Sequence, residues 1–339
     1  MKYLSVLFSL LLSFLVSPAQ IYDDYDEYEP FDIINDIHLR PLYPDSKEVI
    51  VIDPAQETGM DTYSVYYNNF IVPKVLVDKD GVELTPIAIW DQCCNNIPLT
   101  KIIIPASVRH IGSYCFNYCN IGTLELSEGL NSISGHSFSN LSGIQTVSFP
   151  ATMYEIGEAC FSDTDLTSVE FGAGLRKIGE ESFCNNTLLE NVTLPERLTD
   201  LGKLCFNNLT ILTSLSLPKW LKAMSGCFNG CPSLGKIECH SCIPPVIYDC
   251  FNEVNFDQCI VTVPLGCKGN YLQSPVFNKF KNIIECEESG VWETSDSESN
   301  SDVVNVAVDI QGYPTHPDSP GIHLIKEEGE YHKILVPRH

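Results

Sequence analysis

Phenylalanine recurs along the chain at an almost constant interval. Seven positions are separated alternately by 22 and 23 residues: Phe116, Phe138, Phe161, Phe183, Phe206, Phe228 and Phe251. An aliphatic residue stands five positions before each of the first five: Ile111, Ile133, Ile156, Ile178 and Leu201. Because a unit of this length cannot bury its apolar face alone, the period predicts a solenoid of stacked coils. We expect about seven coils, with the phenylalanines in one core row.

The alternation inside one unit predicts two short extended segments. Leu166, Val169 and Phe171 alternate with polar Ser168 and Glu170, which is typical of a half-buried strand. Proline cannot donate to a strand ladder, so it ends this segment in four units: Pro105, Pro150, Pro195 and Pro218. A second apolar segment follows and closes on glycine in four units: Gly112, Gly157, Gly179 and Gly202. These glycines permit a tight corner, with positive φ as one way to form it.

Upstream of the first phenylalanine the pattern weakens but keeps its register. Cys94 lies 22 residues before Phe116, so residues 85–90 predict a degenerate first coil. An Asp80-Gly81 pair between two apolar runs predicts a hairpin. We therefore expect residues 33–98 to cover the open end of the solenoid as a cap.

Both ends of the chain differ in composition from the repeats. Residues 1–19 combine a basic start, an apolar run and small residues at a cleavage point, which predicts a signal peptide removed before Gln20. Residues 20–32 are acidic, and we expect disorder there. Residues 287–302 are rich in Glu, Asp and Ser, which predicts an extended linker. Residues 303–339 contain three strand-like pieces, which predict a small β module.

These motifs carry two family resemblances. The unit from Leu99 to Cys119 reads L-T-x-I-x-I-P-x-x-V-x-x-I-G-x-x-C-F-x-x-C, which resembles the BspA-like leucine-rich repeat of bacterial surface proteins. The resemblance implies a right-handed, β-rich leucine-rich repeat solenoid with short helical turns over residues 99–286, including a C-terminal cap. Residues 303–339 are similar to the C-terminal sorting domains of the type IX secretion pathway in Bacteroidetes. The alternatives for this module are no sorting role, or a cap on the last coil.

Composition and charge exclude several function classes. Apolar residues make up 44% of the chain and charged residues 19%, so a packed core is expected. The 20 Lys and Arg against 44 Asp and Glu give a net charge of −24. Such a surface repels phosphate backbones and anionic lipids, so we expect neither nucleic-acid binding nor membrane docking. Past residue 19, no segment has the length of a membrane span.

Cysteine is frequent, with 15 residues, but it forms no recognisable site in the sequence. Cys239 and Cys242 make a C-x-x-C on a predicted strand, whereas redox pairs need a helix N-terminus and zinc sites need a second pair. The cysteines before the core phenylalanines are expected to be small buried thiols. The pairs Cys115/Cys119 and Cys227/Cys231 leave disulfides open. We expect no metal and no cofactor.

Two outward-facing rows are the candidate ligand surfaces. The first strand of each unit carries a polar and partly acidic row: Glu125, Ser148, Glu170, Thr193, Ser216 and Glu238. The second extended segment carries most of the basic residues of the repeats: Arg109, Arg176, Lys177 and Lys222. A partner on one of these rows and an ordinary solvated sheet are equally compatible with the pattern, because the acidic row lacks the aromatic anchors of binding hot spots.

The sequence therefore predicts an exported, monomeric and non-catalytic protein that is located at the cell surface, associated with the outer membrane or extracellular. Its expected role is adhesion or binding to a protein or glycan. No hydrolase, phosphate-loop or metalloprotease motif occurs. The alternatives are a surface enzyme with an unrecognised site and a purely architectural surface component.

Overall fold

The computed structural model describes residues 32–34, 37–41, 47–52, 68–72, 74–77, 81–96, 99–286, 321–327 and 330–336. The predicted signal peptide and acidic linker lie outside the described residues, as does nearly all of the predicted acidic N-terminus. Up to residue 286 the chain winds into a β-solenoid of about nine turns. This exceeds the expected seven because the first turn carries Cys94 in place of phenylalanine and the last passes through a helix.

The described residues contain short strands and one helix. The strands are β1 (Asp32–Ile34), β2 (Ile37–Pro41), β3 (Glu48–Ile52), β4 (Asn68–Ile71), β5 (Leu76–Val77), β6 (Glu83–Ile89), β7 (Leu99–Ile104), β8 (His110–Ile111), β9 (Thr123–Leu126), β10 (Ser132–Ile133), β11 (Thr146–Ser148), β12 (Glu155–Ile156), β13 (Ser168–Glu170), β14 (Lys177–Ile178), β15 (Asn191–Thr193), β16 (Asp200–Leu201), β17 (Ser214–Leu217), β18 (Ala223–Ser225), β19 (Lys236–Cys239), β20 (Val246–Tyr248), β21 (Ile260–Pro264), β22 (Asn282–Cys286), β23 (Gly321–Glu327) and β24 (Glu330–Val336). Helix α1 spans Lys268–Gln273, and a 3-10 turn follows at Phe277–Lys279.

From β7 to β20 each turn contributes one longer and one shorter strand, as the alternation predicted. The longer strands pair in parallel in three sheets, β4-β7-β9, β11-β13 and β15-β17-β19-β21-β22. The shorter strands form a second ladder from β6 through β16, with β18 and β20 paired beyond it. The register places each residue beside its equivalent one turn later, for example Ile133 beside Ile156. Side chains at one repeat position therefore form continuous columns along the solenoid.

The seven phenylalanines form one stack through the core, which confirms the predicted core row. Neighbouring rings lie 5.0 to 5.8 Å apart and within 19° of parallel. All seven side chains are fully buried. Phe70 of β4 packs edge-on against the first ring at 5.2 Å, and Phe280 packs edge-on against the last at 5.7 Å. The core is thus closed by aromatic side chains at both ends.

The recurring corner glycines allow neighbouring coils to approach each other closely, and they do not adopt positive φ. Gly112, Gly157, Gly179 and Gly202 all have ordinary φ values, so the positive-φ option was wrong. A β-carbon on Gly202 would lie 2.2 Å from the carbonyl carbon of Gly179 one turn earlier. The coils approach so closely here that only glycine leaves room for the neighbouring backbone.

The segment that follows the shorter strand in each turn, which we call the third side, does not form the expected helical turns. Its amide groups donate directly to the next coil, as from Phe116 N to Ser137 O at 2.8 Å and from Phe138 N to Cys160 O at 2.9 Å. Within the described ranges, α-helix occurs only in α1, after the last phenylalanine unit. The third side is therefore a hydrogen-bonded ladder in its own right.

Strands outside the repeats occur at both ends of the chain. β1, β2 and β3 pair antiparallel, and β3 joins β6 in parallel at the start of the shorter-strand ladder. The hairpin predicted at Asp80-Gly81 is present, since β5 pairs antiparallel with β6. β23 and β24 form an antiparallel hairpin from two of the three predicted tail pieces, and the remaining piece is not among the described residues. No helix in the described ranges is long and apolar enough to cross a membrane.

Candidate binding groove

Left-handed backbone conformations shape the third side of the solenoid. One column, two residues before each core phenylalanine, has positive φ at Tyr114, His136, Ala159, Glu181 and Leu204. A second column, two residues after it, has positive φ at Tyr118, Asn140, Asp163, Asn185 and Asn208. We call these the leading and trailing columns. L-residues rarely adopt this conformation, so the two columns mark an unusual backbone path.

A groove runs along the solenoid axis between these columns over five coils, from the coil of Cys94 to the coil of Phe183. Its volume is about 500 Å³. The floor consists of the residues directly after the core position: Asn95, Asn117, Ser139, Ser162 and Cys184. The walls are the first four residues of the leading and trailing columns. The groove therefore lies on a side of the solenoid that carries neither predicted ligand row.

The leading wall begins with an aromatic pair. The rings of Tyr114 and His136 stack with centroids 4.7 Å apart and planes within 7° of parallel. The next residue in the column is Ala159, which is almost fully buried, and Glu181 stands beyond it. The aromatic pair is therefore followed by a small buried residue and then by a carboxylate.

The trailing wall is a ladder of amides with one carboxylate. Asn185 Nδ2 donates to Asp163 Oδ1 at 2.9 Å, and Asn208 Nδ2 donates to Asn185 Oδ1 at 3.0 Å. At the other end of this wall, the side chain of Tyr118 is 61% exposed. Hydrogen bonds thus fix part of the wall while the tyrosine ring stays accessible.

The floor is polar, and its side chains are held by neighbours. Asn117 Nδ2 donates to Ser139 Oγ at 2.6 Å, and Ser139 Oγ donates to the carbonyl of His136 at 3.2 Å. Ser162 Oγ donates to the carbonyl of Ala159 at 3.2 Å. A ligand in the groove would therefore meet preorganised polar groups instead of mobile side chains.

The predicted polar row lies on the longer-strand ladder, but one of its members is buried. Glu125, Ser148, Glu170 and Thr193 are exposed, and Glu238 is half-buried. Ser216 shares the outward face with Thr193 and Glu238, but it is only 8% exposed, and its Oγ lies 3.2 Å from His240 Nε2. The register places Ser148 beside Glu170, and Thr193 beside Ser216, which in turn lies beside Glu238.

Charges on this row are partly neutralised. Lys101 Nζ lies 2.8 Å from Glu125 Oε1, and Lys236 Nζ lies 2.5 Å from Glu238 Oε1. His240 also pairs with Glu196 through Nδ1 at 2.8 Å. This side of the solenoid therefore presents paired charges on an open sheet.

The predicted basic row lies on the shorter-strand side, and its four members are exposed. Lys177 and Lys222 line a depression of about 250 Å³ together with Asp200, whereas Arg109 and Arg176 are not among its lining residues. Lys177 Nζ pairs with Glu155 Oε1 at 2.7 Å, and this hydrogen bond raises the pKa of Lys177. Along the ladder Lys177 lies between Glu155 and Asp200, so acidic residues neighbour this member of the basic row.

The cysteines are mostly inert, with one bond that spacing did not suggest. Cys242 and Cys267 form a disulfide with Cα atoms 5.0 Å apart, since adjacent turns bring together residues that are 25 positions apart. Cys239, which pairs with Cys242 in the C-x-x-C motif, is buried, and this burial raises the pKa of its thiol to about 12. In the part of the chain that the structure describes, no three His, Cys, Asp or Glu side chains cluster as metal ligands.

Buried thiols in the column before the phenylalanines agree with the prediction for that column. The members that are buried thiols are Cys115, Cys160, Cys205, Cys227 and Cys250. The two i, i+4 pairs point to different backbone carbonyls. Cys227 Sγ donates to Gly202 O at 3.3 Å and Cys231 Sγ to Phe206 O at 3.6 Å. Cys115 Sγ donates to Trp90 O at 2.7 Å and Cys119 Sγ to Cys94 O at 3.1 Å.

Sequence reasoning missed the groove because it followed the strands. A signal was present in the trailing column, where Asn140, Asp163, Asn185, Asn208 and Gly230 are the residue types that tolerate left-handed backbone. Columns counted from that position would have placed Tyr118 beside Asn140, and Tyr114 beside His136.

The family model of the BspA type leucine rich repeat region matches residues 87–183 and 154–284, in six copies. The chain belongs to this family. Among solved structures, the BspA-type chain is similar to the T. pallidum leucine rich repeat protein, with 19% identity, 66% of this chain and 86% of that chain covered, and a TM-score of 0.39. A leucine rich cell surface protein from Faecalibacterium prausnitzii matches with 13% identity, 70% and 73% coverage, and a TM-score of 0.42. A leucine-rich repeat protein from Bacteroides ovatus matches with 17% identity, 70% and 82% coverage, and a TM-score of 0.33. No curated protein gives a significant match.

Proposed function

We propose that this BspA-type protein is an exported, non-catalytic module that binds a protein or glycan ligand at the cell surface. The observation that carries the proposal is the groove, in which exposed tyrosine and amide side chains stand on a hydrogen-bonded ladder. Tyrosine provides large contact area with little loss of conformational freedom, and it is enriched at binding hot spots. Membership of the BspA-type leucine-rich repeat family supports a binding role.

Export is part of the proposal. Its support is the N-terminal pattern of a basic start, an apolar run and small residues, together with the Cys242–Cys267 disulfide. Disulfides persist in oxidising compartments and are rare in the cytosol. Cleavage before Gln20 predicts that N-terminal sequencing of the exported protein begins at that residue.

Binding is favoured over catalysis by how the ionisable groove residues are engaged. Asp163 accepts a hydrogen bond from an amide, and the His136 ring is stacked on Tyr114 instead of facing a nucleophile. A general base must reach the proton that it abstracts, and a nucleophile needs such a base beside it. These contacts suit a surface that holds a ligand.

The test is a binding screen of the mature chain against immobilised matrix proteins, mucins and glycans. Three double variants then assign the face: Tyr114→Ala with Tyr118→Ala in the groove, Glu125→Lys with Glu170→Lys on the longer-strand side, and Arg176→Glu with Lys177→Glu on the shorter-strand side. We expect the groove variant to lose at least tenfold in affinity and the other two to bind as the wild type does. Failure of the wild type to bind any member of the three classes would overturn the proposal.

A further inference from the structure

The size of the groove points to a small linear ligand. Its volume of about 500 Å³ lies within the ~300–1,000 Å³ range of small-molecule sites. Its five floor positions are separated by four coil steps of ~4.8 Å, which gives a length of roughly 19 Å between the first and last of them. A folded protein partner would need a contact surface of ~800 Å² on each side, which is far larger than this channel. An extended polymer segment that lies along the solenoid axis fits it better.

The chemistry of the lining points to a hydroxyl-rich ligand. Amide and hydroxyl groups dominate the lining, through Asn95, Asn117, Ser139, Asn140 and Asn185. Such groups both donate and accept hydrogen bonds. Tyrosine and histidine rings add apolar ring faces, together with polar groups at the ring edge. Pyranose rings offer the complement, with hydroxyls around the rim and apolar C–H groups on the faces.

The negative charge of the groove disfavours the binding of acidic ligands. Asp163 and Glu181 are among its lining residues, and no Lys or Arg is. The whole chain carries a net charge of −24, so its field repels anions over the surrounding surface. Sialylated or sulfated glycans would therefore be disfavoured relative to neutral ones.

The aromatic side chains of the groove give the site its contact surface. Tyr114 and His136 stack on each other in the leading wall, and the Tyr118 side chain is 61% exposed in the trailing wall. A sugar ring that lies along the groove would place one face against an exposed tyrosine ring. Its rim would then face the Asn140 amide and the carboxylate of Asp163, both of which line the groove.

From these observations we infer that the groove binds a neutral oligosaccharide segment, with a sugar ring seated against the exposed rings of Tyr114 and Tyr118. This inference rests on the proposed binding function and names its ligand class and its site. A basic extended peptide is the competing occupant, since it would match the two carboxylates.

The experiment uses the full mature chain and a defined set of probes. These are cellohexaose, chitohexaose, maltohexaose, mannohexaose and xylohexaose, with a hyaluronan hexasaccharide as the anionic probe and hexalysine as the basic peptide. Saturation-transfer NMR detects binding, and calorimetry measures the affinity. We expect at least one neutral hexasaccharide to bind more tightly than the anionic probe and hexalysine.

Variants place the ligand in the groove. Tyr114→Ala removes a ring that is 40% exposed on the leading wall, so the fold should tolerate it. Its affinity is expected to fall at least tenfold. Tyr118→Ala removes an exposed side chain and should weaken binding about threefold to tenfold without affecting folding. Tyr154→Ala is the matched control, because that ring is 45% exposed and lies outside the groove, and it should bind as the wild type does.

Each outcome separates this inference from the proposed function. Binding of a matrix protein without binding of any neutral hexasaccharide overturns the inference and leaves the binding function standing. Preferred binding of hexalysine, or oligosaccharide binding that both groove variants leave unchanged, also overturns it. A chain that binds neither proteins nor sugars contradicts both proposals.

Discussion

Each core phenylalanine contacts the equivalent ring in the coils on either side of it. Phe161 lies 5.0 Å from Phe138 and 5.6 Å from Phe183, and Phe149 packs edge-on against it at 5.3 Å. Removal of one ring therefore opens the core between two coils. The repeat period is visible in single residues because phenylalanine fills the same core position in seven successive units.

Phe161→Ala is expected to lower the free energy of unfolding by about 3–5 kcal/mol, because it removes a fully buried ring and leaves a cavity in the stack. Urea denaturation followed by circular dichroism measures the change. Tyr154→Ala is the control, since that ring is 45% exposed and should cost well under 1 kcal/mol. Equal effects of the two substitutions would contradict the stacked core.

Gly202→Ala is expected to destabilise the protein by about 1–3 kcal/mol, because the added β-carbon would overlap the backbone of Gly179. Gly235→Ala is the matched control, since its nearest atoms lie 3.9 Å away. Thermal melts of the two variants provide the comparison. If Gly202→Ala were as stable as the control, close coil approach would not explain the glycine column.

At the scale of the element, hydrogen bonds explain why both cysteine and serine occur in the column before the phenylalanines. Ser137 Oγ donates to the carbonyl of Gly112, and Cys227 Sγ donates to the carbonyl of Gly202. Both acceptors belong to the corner glycine of the preceding coil. The position therefore requires a small side chain that can donate a hydrogen bond, which the sequence pattern alone described only as small.

Burial makes this part of the structure sensitive to alkaline pH. Desolvation raises the pKa of Cys160 and Cys205 above the ordinary thiol value, and it raises that of Cys231 to about 12 and that of Cys259 to about 11. Unfolded thiols ionise from about pH 8.5. The unfolded state then loses more protons than the folded state, so stability is full below pH 8.5 and falls progressively toward pH 12.

Cys160→Ser tests this linkage, because serine already occupies the same column at positions 137 and 182. Between pH 8 and pH 10 the wild type should lose about 2 kcal/mol for each fully buried thiol. The variant should lose that much less, so its curve of unfolding free energy against pH is expected to be flatter. Parallel curves for the two proteins would show that this thiol does not titrate between the states.

For the whole molecule, the core stack is already closed within the solenoid. Phe277 and Phe280 are buried and pack against Phe251 at 6.3 and 5.7 Å. The hairpin of β23 and β24 is two-stranded, and such hairpins are marginally stable alone. We propose that residues 303–339 act in delivery through a sorting role, with the acidic segment 287–302 as their tether.

Deletion of residues 303–339 separates this role from capping. We expect the melting temperature of the solenoid to stay unchanged, because Phe277 and Phe280 still cover the last coil, and surface display to be lost. Surface labelling of cells and a thermal melt of the purified protein measure the two effects. A lower melting temperature with normal display would instead identify the tail as a cap.

The sequence by itself determined the period, the core row, the alternation of the longer strands and the hairpin at Asp80-Gly81. These features depend on residues that are close in sequence, or on the same residue type at the equivalent position of the next turn. The repeating pattern of the sequence is therefore enough to predict them. Family membership follows from the same columns.

Only the tertiary structure decided which side chains meet between turns. The groove depends on how the left-handed residues rotate the third side, so that Tyr114, His136 and Ala159 fall into one wall. Burial of Ser216 and the Cys242–Cys267 bond depend on partners about one turn away, and so does the pairing of Lys177 with Glu155. Periodicity predicts that such positions are adjacent, whereas the contacts that they make depend on side-chain size and direction at each coil.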